Sequence, residues 1–186
     1  MRAVSTLLAA ACLIAGTALF AGCVQQEEIP QIHWNLTLTD GTEEQVLSLA
    51  DVRALPPVEG YGFAVSTVGI KYGPYYCRGA SLADLAGLVG GIGSDDLVHV
   101  SAPDGYLWVF DAEQAAGEGF FTFSPELREI PSPPLRVILA YEQDHKPLSY
   151  DDGGPLRLVI VSDSPDVITE GSSWVKWVDR IEIRRR

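Results

Sequence analysis

The sequence predicts an α+β domain, and three observations carry that expectation. Strand-type segments with period-two alternation recur between turns rich in Gly, Pro and Asp. Two short stretches with apolar residues at helical spacing interrupt them, each behind a serine cap. Hydrophobic residues make up 47% of the 186-residue chain and charged residues 20%, enough apolar material for one packed core.

The elements follow in order. Gln31–Thr39 alternates strictly, with Ile32, Trp34, Leu36 and Leu38 on one face and His33, Asn35, Thr37 and Thr39 on the other, which reads as a half-buried strand. Asp40-Gly41 turns the chain, and Glu44–Leu49 pairs back as a hairpin. Ser48 caps a helix carrying Leu49, Val52 and Leu55, and Pro56-Pro57 stops it. Tyr61–Ile70 is β-rich, and Tyr72–Arg78 is a short aromatic segment. Ser81 caps a second helix with Leu82, Leu85, Leu88 and Val89 on its buried stripe, and Gly90-Gly91 ends it. Leu97–Ala102 and Tyr106–Phe110 flank a Pro103-Asp104-Gly105 turn. The Gly, Phe and Pro content of Ala112–Pro134 predicts an irregular surface excursion. Leu135–Glu142 and Leu156–Val161 are strongly apolar strands. Ser162–Ser173 reads as a loop, and Trp174–Arg184 as the closing strand. There is no internal repeat.

The first 22 residues read as an export signal. Arg2 precedes an apolar run, Leu7–Phe20, that is short for a membrane span. Phe20-Ala21-Gly22-Cys23 is similar to a lipobox, with Phe20 where Leu is usual, so Cys23 is expected to become the lipid-bearing first residue. The alternative is a plain signal peptide. Residues 23–31 then form a tether and residues 32–186 the domain, placed outside the cytoplasm and anchored to the cell membrane through lipid on Cys23.

Without the signal the chain has 12 basic and 25 acidic residues, a net charge of −13. That field disfavours nucleic acid and anionic membrane surfaces as partners. Arg180, Arg184, Arg185 and Arg186 crowd the C-terminus and read as a solvated tail. With Cys12 in the signal and Cys23 lipidated, Cys77 is left alone, so no intrachain disulfide framework is expected. His33, His99 and His145 are too scattered to read as a metal set.

Several short stretches, in this order, resemble the molybdopterin-binding domain of the sulfite oxidase family. They are Ser48–Leu55, Gly79–Leu85, Ala102–Tyr106, Leu139–Glu142, Lys146–Leu148, Gly153–Leu158 and Val175–Ile181. The last two carry Gly-Gly-Pro-Leu-Arg and Lys-Trp pieces, which make the resemblance fairly specific. It implies a mixed, curved sheet core with short flanking helices. Redox-active members hold molybdenum through a pterin dithiolene and one protein thiolate, a soft ligand suited to that metal. They grip the anionic pterin phosphate with cations and N–H donors.

This chain departs from that pattern. The resemblance puts the metal-binding cysteine near Val65–Thr67, but the stretch reads Ala64-Val-Ser-Thr-Val68. Cys77 lies too close to Gly79 to match, at a place where an aromatic residue is usual. Asp152 stands where the family often has a histidine, and Ser173 where it often has a lysine. Arg157, Lys176 and Trp177 remain as cofactor-binding candidates. A structural use of Arg157, paired with Asp151 or Asp152, is the favoured alternative to phosphate binding.

Other candidates are weighed against plain structural roles. Cys77 is the sole candidate for a catalytic thiol, its pKa open to Arg78; the plainer expectation packs it with Tyr72, Tyr75 and Tyr76. Asp163, Asp166 and Glu170 could offer hard oxygens to calcium, but match no ligand spacing and read as a solvated acidic loop. Trp108, Trp174, Trp177 and Phe120, Phe121 and Phe123 could form an aromatic platform. The three phenylalanines are the candidate contact for an envelope protein.

The leading expectation is an exported, lipid-anchored, non-catalytic binding or accessory module that has lost the metal thiolate. No cofactor is expected, with molybdopterin the alternative. Two other readings stand beside it. One is a molybdopterin-dependent oxidoreductase acting by oxygen-atom transfer, and the other a cell-envelope scaffold or adhesion lipoprotein.

Overall fold

The computed structural model describes residues 33–186. The signal, Cys23 and the tether lie outside the described residues, as does Ile32 of the first alternating strand.

The chain opens with β1 (Asn35–Thr39), β2 (Glu44–Ser48) and α1 (Leu49–Ala54), then β3 (Pro57–Val65), β4 (Lys71–Ser81) and α2 (Leu82–Gly87). Next come β5 (Leu97–Ser101), β6 (Leu107–Asp111), α3 (Ala112–Ala115), β7 (Thr122–Phe123) and β8 (Glu129–Ile130). The second half holds β9 (Arg136–Gln143), β10 (Lys146–Pro147), β11 (Arg157–Ser162), β12 (Thr169–Glu170) and β13 (Arg180–Arg184).

Local chemistry explains the helices. Ser48 accepts the Asp51 amide while Asp51 reaches back to the Ser48 amide, a complete capping box on α1. Ser81 caps α2 by accepting the Asp84 amide, and Leu82, Leu85 and Ala86 face the core. Asp111 and Gln114 form a second capping box on α3. That one-turn helix, and the β7–β8 pair after it, lie inside the segment expected to be irregular.

Among the described residues the strands make two main sheets. The first runs β2-β1-β13-β5-β6, with β1 and β13 parallel and the other pairs antiparallel. The second runs β10-β9-β11-β3-β12, with β4 paired to both β3 and β9. Strands β9, β11, β3 and β4 therefore close into a ring, so the curvature expected of the sheet is carried to closure. Irregularities in register at Gly62/Ala64 and Arg78/Gly79 help the ring bend. The core is mainly apolar: Leu36, Leu38, Phe110, Ile138, Leu139 and Ile181 are fully buried.

Two expectations change here. Trp174–Arg184 is not one strand: a 3-10 turn at Gly171–Ser173 leads into irregular backbone, and only Arg180–Arg184 is β13. The irregular part bonds sideways instead, with Trp177 N–H donating to the Gly153 carbonyl and Val178 N–H to that of Leu156. The C-terminal arginines are also not a free tail. Arg185 donates to Asp96 at 2.6 Å and to Asp40 at 3.3 Å, and also to the Gly91 and Val89 carbonyls.

That clasp has a pH signature. The Gly93 amide, then Arg185, hold the Asp96 carboxyl below its ordinary value. Asp40 is held lower still, by the Glu43 amide and the Thr42 hydroxyl and amide, with Arg185 contributing least. Depressed carboxylates contribute stability above their unfolded pKa of about 4 and lose it as pH falls through their folded values. Arg185→Ala is expected to lower the melting temperature at pH 7 and to flatten its decline on acidification, read from thermal melts between pH 2 and 7.

Candidate ligand cleft

A cleft of about 540 Å³ opens where distant parts of the chain meet. That is within the range of small-molecule sites, roughly 300–1,000 Å³. One wall is the β3–β4 hairpin, which gives Ala64, Ser66, Thr67, Tyr72 and Tyr75. The β5–β6 turn gives Asp104 and Tyr106. The turn before β11 gives Asp151, Asp152 and Arg157. The segment leading to β13 gives Ser172, Trp174, Lys176 and Trp177. Tyr106 ties two walls together, its hydroxyl donating to the Ser172 carbonyl at 2.5 Å.

The three candidates carried by the resemblance, Arg157, Lys176 and Trp177, all lie in this cleft. Arg157 begins β11, and its guanidinium sits 5.1 Å from the centre of the Trp174 ring. Its Nη1 donates to the Asp152 backbone carbonyl at 3.2 Å, and its buried Nε finds no partner. Burial lowers its pKa, while Cys77, Tyr75 and Asp152 act in the opposite sense. The expected pairing of Arg157 with the Asp151 or Asp152 carboxylate is corrected: it binds the main chain of Asp152. The carboxylate of Asp152 instead takes the Ser149 hydroxyl, at 2.6 Å.

Lys176 lays its stem over Gly153. A Cβ there would approach Lys176 Cβ to 2.8 Å, and the positive φ of Gly153, +90°, also favours glycine. The Lys176 ammonium stands 5.6 Å from the Trp177 ring centre. Trp177 has φ +52°, a left-handed conformation that a bulky residue rarely adopts. Two bonds hold it there: N–H to the Gly153 carbonyl at 2.7 Å, and Nε1 to the Tyr150 carbonyl at 2.8 Å. Its ring also packs against Tyr150, with centroids 5.5 Å apart.

The place expected for a metal thiolate is part of the wall, and it presents hydroxyls. Ser66 and Thr67 line it, and the Ser66 oxygen already accepts the Ile70 amide, closing the hairpin turn. Cys77 is not in the lining. It is 2% exposed, on the same face of β4 as Tyr75, and its thiol donates to the Tyr75 carbonyl at 3.7 Å. A Cβ added to Gly62 would lie 2.8 Å from Trp174 Cη2 and 3.4 Å from Cys77 Sγ, so indole and thiol share that neighbour. Burial pushes the thiol up to about 12 against a smaller downward pull from Arg157. Arg78, expected to be the nearby cation, instead pairs with Glu59 at 3.5 Å. The expected packing with three tyrosines is also reduced. Tyr76 packs edge-on against Tyr61 and donates to Glu59, and Tyr72 is exposed at the cleft.

A raised thiol pKa has a defined consequence. Its stability contribution is full below the unfolded pKa of about 8.5 and is lost as pH rises towards the folded value. Native protein at pH 8 is expected to leave Cys77 unlabelled by a thiol-disulfide reagent over minutes, with labelling appearing in denaturant. Rapid native labelling would show the thiol reaching solvent.

The remaining candidates scatter. Trp108 packs edge-on against Phe110, away from the cleft, so only Trp174 and Trp177 of the expected aromatic platform meet there. Phe120 packs against Phe110 and the core, and Phe123 is in β7; only Phe121, 61% exposed, is open to solvent. Asp163 pairs with Arg136 at 2.6 Å, and the described residues contain no group of three or more His, Cys, Asp or Glu placed to hold a metal. His33 is exposed before β1, His99 is in β5, and His145 sits in the β9–β10 turn against Tyr76. Asp104, Tyr106 and Ser172 were not anticipated as site residues. Asp104-Gly105 signals a turn, and nothing local says what that turn will face.

Comparison with known proteins gives one consistent answer. The family described as "Oxidoreductase molybdopterin binding domain" matches residues 23–186. Sulfite oxidase from Arabidopsis thaliana is 33% identical over 126 residues, 68% of this chain but 30% of that protein. The chain thus spans less than a third of that relative. The crystal structure of the sulfane dehydrogenase SoxCD from Paracoccus pantotrophus superposes with a TM-score of 0.62 at 18% identity, over 82% of this chain and 38% of that one. That likeness establishes the fold: an α+β, sulfite-oxidase-like architecture. The chain belongs to the oxidoreductase molybdopterin-binding domain family, the sulfite oxidase type.

Proposed function

We propose that this chain is an exported, lipid-anchored member of the family that works as a binding module without a thiolate-held metal. One observation carries the reading: Ser66 and Thr67 line the cleft, on the stretch where the family resemblance leads one to expect the thiolate. Their hydroxyls are hard oxygens and are not the soft thiolate that the resemblance calls for. The chain's remaining thiol supports the same reading, being buried off the lining and held in its protonated form. The residues therefore do not fit a thiolate-bound molybdenum, and no redox step is derived through one.

Anchoring through Cys23 and placement outside the cytoplasm belong to the same proposal, resting on the leader-like first 22 residues. A protein contact through the aromatic excursion would rest on Phe121 alone. The test is metal analysis of the mature protein from a host that makes molybdopterin. Less than a few per cent molybdenum per chain is the expected result. Stoichiometric molybdenum, lost on Cys77→Ser, would overturn the module reading in favour of the oxidoreductase.

A further inference from the structure

The charges in the cleft are not those of a phosphate site. Three acidic residues, Asp104, Asp151 and Asp152, line the cleft with two basic ones, Arg157 and Lys176. Among the described residues neither cation is within ion-pair distance of a carboxylate. Arg157 serves the Asp152 carbonyl and the Trp174 face, and Lys176 lies over Trp177. Asp152 and Asp104 are also used, by the Ser149 hydroxyl and the Tyr106 amide. A dianionic phosphate would enter a lining with surplus negative charge, in a mature chain of net charge −13. Both the local and the long-range field oppose it.

The walls carry a second signal. Tyr72, Tyr106 and Trp177 offer aromatic surface in the cleft, and Tyr72 and Tyr106 are exposed. Aromatic faces attract flat ligands and also organic ammonium groups. Lys176 provides a cation for a carboxylate, and Asp151 a carboxylate for an ammonium. We infer that the cleft takes a zwitterionic aromatic small molecule, one ammonium and one carboxylate on a flat ring system. This deepens the module reading and rests on it. Its ammonium meets Asp151, its carboxylate meets Lys176, and its ring lies among Tyr72, Tyr106 and Trp177. Such a ligand carries no net charge, so the negative field does not exclude it. It also needs no thiolate.

Isothermal titration with four probes tests the assignment: L-tryptophan, tryptamine, indole-3-propionate and inorganic phosphate. The two indole analogues each keep one charge of the zwitterion. L-tryptophan is expected to bind saturably, and each half-analogue about tenfold more weakly, equivalent to about 1.4 kcal/mol. Phosphate is expected neither to bind nor to compete. Asp151→Asn, at an exposed position, should bring L-tryptophan and indole-3-propionate to equal affinity while leaving the melting temperature unchanged. The inference is overturned if L-tryptophan gives no saturable heat, if either half-analogue matches it, or if phosphate displaces it. Molybdenum is measured on the same sample from a molybdopterin-making host. A metal-loaded sample sinks the module reading, whereas a metal-free sample that ignores L-tryptophan sinks only the ligand assignment.

Discussion

Trp174→Ala is expected to destabilise the domain by about 3–5 kcal/mol, the usual cost of deleting a buried indole. Trp174 is 5% exposed, and its Nε1 donates to the Thr169 hydroxyl at 3.3 Å. Removing it leaves a void beside Gly62 and strips Arg157 of the ring its guanidinium faces. At 2–4 °C per kcal/mol for a chain of this size, the melting temperature should fall by roughly 6–20 °C. The change also has a chemical readout. With the indole gone, the route from the cleft to Cys77 opens, so thiol labelling at pH 8 should accelerate in the native protein. A stable Trp174→Ala protein with an unreactive Cys77 would mean the indole neither supports the cleft floor nor screens the thiol.

Gly79→Ala is the second large effect, about 3 kcal/mol. Gly79 sits in β4, at the irregularity where that strand crosses against β9. A Cβ there would lie 2.6 Å from Ala140 Cα and would also strike the Leu139 carbonyl oxygen. Both are main-chain atoms of β9, the strand shared by β4, β10 and β11. Strand β9 cannot yield without disturbing its other pairings, so one methyl group is felt around the ring. The measurement is the urea midpoint, with the m-value as control. An unchanged midpoint would show that β4 and β9 separate more easily than their packing implies. Val in place of Ala should abolish folding.

The parts of the fold that were legible in the sequence have local causes. Leu36 and Leu38 alternate because β1 has one buried face. Ser48 and Ser81 announce helices because their side chains cap free amides within three residues. The misread parts have distant causes. The Trp and Val content of Trp174–Arg184 favours a strand, but bonds from Trp177 to Gly153 and Val178 to Leu156 hold the first half irregular. The four-residue α3 is too short to show periodicity, and only the Asp111/Gln114 pair marks it. The ring of β9, β11, β3 and β4 cannot be read from any single segment.

The cleft divides in the same way. Arg157, Lys176 and Trp177 could be nominated because family resemblance orders them along the chain. The absence of a cysteine at Val65–Thr67 was equally plain. What surrounds Arg157 was not, because a nearby carboxylate in sequence does not fix which oxygen the guanidinium meets. Tyr106 and Ser172 are 66 positions apart, and only the folded chain makes them neighbours.

The position of β13 sets a rule for biogenesis. This strand is the last of the described strands to be synthesised, yet it lies between β1 and β5 in the middle of its sheet. The polypeptide therefore cannot assemble vectorially as it emerges: β1 and β5 must wait for Ile181 and Ile183 to arrive between them. Until then this sheet stays open at its centre, so any chain that stops short of Arg180 lacks the strand that joins its two halves.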